Sequence, residues 1–168
     1  SNTVLGASIS YILASQVFVS ATLTIPAGTT IFALPVPTGV AAPALVVVKG
    51  GALVATGSAT MPITFTSVLA ESALVSSATA STDSNENAIT LGERGKWGGL
   101  ILLGNAPTNV PTTTQIEGIT GYTYGGTNPT ESSGSLQYVR VWHGGAIVGA
   151  NNEINGITFG GVGSGTTV

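Results

Sequence analysis

The apolar residues of this chain come in runs of three or four rather than in helical stripes. VFV (17–19), LTI (23–25) and TIF (30–32) follow one another at six- to seven-residue intervals. After a proline-rich break, LPVPTGVAAPA, the theme returns in LVVV (45–48), ALV (52–54) and ITF (63–65). LILL (100–103), LQYVRV (136–141), INGITF (154–159) and TTV (166–168) carry it to the end. The runs favour β-branched residues, and glycine or proline marks the corners between them. Turn signals in a sandwich recur every ~8–12 residues, too widely for this spacing. It fits a solenoid in which three short strands make one coil of roughly twenty residues. The pattern predicts an all-β fold, a right-handed parallel β-helix with three strands per coil.

Inward side chains of one coil would stack on those of the next, forming one apolar column with strand paired on strand. Two stretches interrupt the repeat and are expected to leave it as surface insertions. Residues 67–95 are rich in Ser, Ala and Thr, with a short helix over 68–78 as one reading, and residues 105–135 are rich in Thr, Pro and Gly. The opening segment SNTVLGASISYILASQ is apolar enough to fold as a cap over the first coil. The strand pattern is still running at GVGSGTTV, and the sole methionine is Met61. A single domain over 1–168 that forms the N-terminal part of a longer solenoid is therefore expected.

Composition narrows the function. Charged residues are 7%, against roughly 25% in an ordinary domain, so 40 Ser and Thr hydroxyls must wet much of the surface. A net charge of −3 with four basic residues gives no electrostatic footprint for nucleic acid or an anionic membrane. Hydroxyls recur through residues 1–48, where no run nears the ~18–20 apolar residues of a spanning helix. Cysteine is absent, which removes disulfides and thiolate chemistry.

Five blocks, LTIPAGTTIFA, ALVVVKGGALVATGSATMPITFTS, GKWGGLILLGNAP, YGGTNPTESSGSLQYVRVWHGG and NNEINGITFGGVGSGTTV, together resemble a secreted right-handed parallel β-helix family. Its members occur in marine bacteria of the Bacteroidetes type and in microalgae, and the resemblance spans about 16–168. It implies the β-helix fold and an extracellular or cell-surface location. It implies no reaction, and it implies a further coil rich in Asp and Phe-Gly-Gly beyond GTTV.

Trp97 sits in GERGKWGGLILLGNAP, where Gly98 and Gly99 let the chain turn sharply into LILL. The expected role is structural, a large ring laid over a corner of the core. Asn151 and Asn155 in NNEINGITF are expected to hold a corner through their amides. Period-two alternation puts Val139 and Val141 inward, so Arg140 and Trp142 face outward and stack. His143 begins a corner, with no cysteine partner and no catalytic-triad spacing. Trp142, His143, Arg140, Tyr122 and Tyr124 are the candidate ligand-binding residues.

Sugar chemistry needs two acids held roughly 5–10 Å apart, whereas the seven acids here are scattered. Asp83 and Glu86 in STDSNEN, and Glu153 by itself, lack the converging oxygens of a calcium site. No catalytic residue, metal or cofactor is assigned. A Thr array for ice binding, begun by TLT and TFT, is broken by the runs between them. The expected function is a non-enzymatic structural or adhesive module in a surface layer or filament, self-associating or continued through its C-terminal coil edge. The alternative is a β-helix that binds or cleaves extracellular polysaccharide.

Overall fold

The computed structural model describes residues 1–35, 40–68, 94–149 and 152–168. Coil one is β1 (Thr3–Val4), β2 (Tyr11–Leu13) and β3 (Gln16–Val19). Coil two is β4 (Thr22–Ile25), β5 (Thr30–Ala33) and β6 (Ala44–Val47). β7 (Ala52–Thr56), β8 (Ile63–Ser67) and β9 (Gly99–Leu103) make coil three. β10 (Gly134–Gln137), β11 (Val139–Val141) and β14 (Ile157–Gly160) make coil four, with β12 (Ile147–Gly149) and β13 (Asn152–Glu153) between its last two strands. Corresponding strands pair in parallel as three sheets, β1-β4-β7-β10, β2-β5-β8-β11 and β3-β6-β9-β14. This is a parallel β-helix with three strands per coil.

The first coil step is twenty residues, from Thr3 to its partner Leu23 and from Tyr11 to Ile31. Later steps lengthen because the corners carry insertions, so Leu45 faces Leu100 and Leu53 faces Gly134. Register holds throughout. Val17, Leu45, Leu100 and Ile157 form one inward column, and Val19, Val47, Leu102 and Phe159 another. Phe65, Leu53, Ile63 and Leu100 are fully buried in the resulting core.

The third sheet explains why VVV and LILL show no alternation. Its outward residues Ala44, Val46, Ile101 and Leu103 are also buried, under Ile119 of the 104–133 connection and Ile154 beside β13. Strands covered on both faces read as unbroken apolar runs. The first two sheets alternate because their outer faces are not covered in the same way, as in β5 and β7.

Four expectations change. The opening segment is no cap: Val4 and the Tyr-Ile-Leu run extend two sheets as β1 and β2, since their extended, alternating side chains match the stack beneath. LQYVRV is two strands, because the chain must turn between sheets at Tyr138, which adopts φ 50°. INGITF supplies a strand only from Ile157; Asn155 and Gly156 form the corner beneath it. The insertion expected over 105–135 gives way to β10 at Gly134, and it packs on the third sheet rather than standing free. Thr167 bridges Ser135 in parallel and starts another turn of the first sheet. The helix considered for 68–78 lies, apart from Val68, outside the described residues, as does most of the 67–95 insertion. Among the described residues no helix is long and apolar enough to cross a membrane. The only antiparallel strand pair among them, β12 with β13, sits inside one corner.

Candidate functional site

The corner between the second and third sheets is built by two similar segments, 94–99 and 141–146, one stacked on the other. Gly95 and Lys96 donate their N–H groups to the carbonyls of Gly144 and His143 at 2.9 and 2.8 Å. Gly145 and Ala146 donate back to Gly98 and Trp97 at 3.1 and 3.0 Å. On the other side Gly98 donates to Pro43 at 2.7 Å, so the corner is tied to the coils before and after it. A Cβ at Gly98 would lie 2.9 Å from both the Ala44 Cβ and the Pro43 oxygen, which is why only glycine fits.

Trp97 is 0% exposed inside this corner. Its ring stacks on Phe65 at 6.3 Å and 15°, and its Nε1–H donates to the Trp142 carbonyl at 2.7 Å. The ring therefore faces the core and offers no platform to a ligand. Asn155 supports the same corner through its backbone, since its carbonyl lies where a Cβ on Gly99 would be. Asn151 lies outside the described residues.

Arg140 and Trp142 do share the outer face of the second sheet, with the guanidinium carbon 5.7 Å from the indole centroid. Register places Ile12, Phe32 and Thr66 on that face too, because their neighbours Ile31 and Phe65 point inward. His143 is buried at the corner with φ 61° and meets the Trp142 ring edge-on at 6.4 Å. Tyr122 and Tyr124 are elsewhere. Tyr122 stacks on Phe18 at 4.4 Å and 15°, and both tyrosines pack on the outer face of the third sheet. The five candidate ligand residues thus divide between two faces instead of forming one groove. The tyrosines serve to fasten the insertion.

Two acids have roles that spacing could not reveal. Glu117, in the long connection, accepts the N–H of Glu153 at 3.4 Å, bringing together residues from different coils. Glu131 organises the C-terminal segment: its carboxylate accepts the Gly163 N–H in a short hydrogen bond and the Ser133 hydroxyl at 3.3–3.4 Å. Its own carbonyl accepts the Gly165 N–H at 3.1 Å. The turn in NPTESS, where Thr130 Oγ1 donates to Asn128 Oδ1, was the available signal. Glu131→Ala should cost about 2 kcal/mol through loss of charge-assisted bonds. Denaturant unfolding checks the loss, and faster amide exchange at Thr167 and Leu136 would show that the C-terminal turn has loosened. Among the described residues no three His, Asp or Glu side chains gather as a metal site. Asp83 and Glu86 are not among them.

A family model for a pectate-lyase-like β-helix domain matches residues 1–77 and 81–168. The chain belongs to that family. No curated protein and no solved structure matches it. For this pectate-lyase-like β-helix domain, the match agrees with the three stacked parallel sheets and assigns no chemistry to the faces just described.

Proposed function

We propose that the chain is a non-enzymatic structural or adhesive module of an extracellular or cell-surface assembly, in which β-helices stack into a stiff rod. One observation carries this reading: the inward columns run in register from the first coil to the last and stay exposed at both ends, at Val17 (42%) and at Ile157 and Phe159 (37% and 42%). A column left open at both ends favours continuation. Sedimentation velocity over a range of protein concentrations tests it. The expected result is a series of elongated species growing with concentration; a monomer at every concentration would contradict the reading.

Polysaccharide binding is the second reading, favoured by Trp142 and Arg140 stacked on the outer face of the second sheet beside Phe32. An indole face with an adjacent cation suits an acidic sugar chain. On this reading, migration through gels containing polygalacturonate is retarded, and Trp142→Ala abolishes the retardation. Equal mobility with and without the polymer would remove it.

A further inference from the structure

The large apolar side chains that remain exposed gather at the two ends of the stack. Val4, Ile12 and Val17 lie in the first coil, and Ile157, Phe159 and Val168 in or just beyond the last. Between the strands of the first coil lies a cavity of about 380 Å³, walled by inward side chains such as Leu13 and Val19 and reaching Phe65 of the third coil. At this end the ladders stop at β1, β2 and β3. At the other they stop at β11, β14 and the Thr167 bridge.

Whatever covers the first coil must offer three parallel edges at once, at the spacing of this β-helix, together with apolar inward side chains. The last coil of a second copy meets each requirement. Placing it there sets Ile157 against the next copy's Val17 and Phe159 against its Val19, which prolongs both inward columns without changing their order. No charged side chain precedes Lys49, so the first coil brings none into the contact. Two first coils meeting face to face would not continue the three parallel ladders. A head-to-tail contact does, and because it is heterologous it repeats without closing.

We infer that the first coil is an acceptor for the last coil of another copy, with β2 of one pairing in parallel with β11 of the next and β3 with β14. This rests on the structural reading above and adds polarity and register to it.

The absence of cysteine makes the test direct. In the stacked arrangement Ile12 of one copy lies opposite Arg140 of the next, at the strand spacing of about 4.8 Å, within the span of a disulfide. Within one chain the same residues are three strand steps apart in the second sheet, about 14 Å, so they cannot bridge. Both are exposed, and the substitutions leave the core intact. Under mild oxidation, at a concentration where the parent assembles, Ile12→Cys/Arg140→Cys should give a ladder of covalent dimers, trimers and higher species. Ile12→Cys and Arg140→Cys singly should stay monomeric on non-reducing gels. A dimer formed by either single variant would show like ends meeting and overturn the inference. So would assembly of the double variant in sedimentation without a ladder, which leaves the structural reading standing. If neither variant nor parent assembles, that reading falls as well.

Discussion

Trp97→Ala should lower stability by about 3–5 kcal/mol, the cost of deleting a large buried aromatic. Three losses act together. The ring is fully buried, so its removal leaves a void in the corner that the flanking backbone, hydrogen-bonded on both sides, cannot collapse into. The stack on Phe65 disappears, worth about 0.5–1.5 kcal/mol beyond area alone. The Trp142 carbonyl loses its indole donor. Trp97→Phe keeps most of the ring and removes the donor, so it should cost about 1–2 kcal/mol, near the price of one unsatisfied buried group. Denaturant unfolding of parent and both variants gives the comparison. An alanine variant as stable as the parent would mean that this corner does not depend on its ring.

The second large effect is expected at Gly99. Its φ is 130°, and a Cβ there would press on the carbonyl oxygens of Asn155 and Gly156 in the coil above. Those atoms belong to backbone that also accepts the Leu100 N–H at 2.9 Å. Neither the clash nor the dihedral can relax without parting β9 from β14. Gly99→Ala should therefore cost about 3 kcal/mol, among the larger single-site effects. Gly121 is the control: its φ is 85°, but open space surrounds it, so Gly121→Ala should cost only about 1 kcal/mol from the left-handed backbone. Thermal unfolding of the two variants measures the difference; equal losses would show that close approach of the coils at Gly99 has no energetic weight.

The strands of the middle coils were legible because each sheet needs one inward row, and VFV, LVVV and LILL supply it in register. What the pattern could not show was which residues turn the corners. LQYVRV reads as a continuous strand, yet Tyr138 leaves the β region within it. The first coil was misread as a cap because apolar extended segments serve equally well as a cover or as another layer. The candidate site was less legible than the fold. Arg140 and Trp142 follow from alternation along one strand. The position of Tyr122 depends on how a long insertion folds back onto Phe18, which no local period encodes. The same holds for Glu131, whose partners lie thirty residues away in the C-terminal segment.

The account's central claim is that coil stacking passes from one copy to the next. X-ray fibre diffraction from aligned assemblies of the 168-residue chain tests it most directly. Strands in a β-helix run across its axis and follow one another at about 4.8 Å along it. Head-to-tail rods should therefore give a strong reflection near 4.8 Å along the rod axis, with no break at the joins. A 4.8 Å reflection directed across the rods, or no ordered rods at any concentration, would contradict the claim.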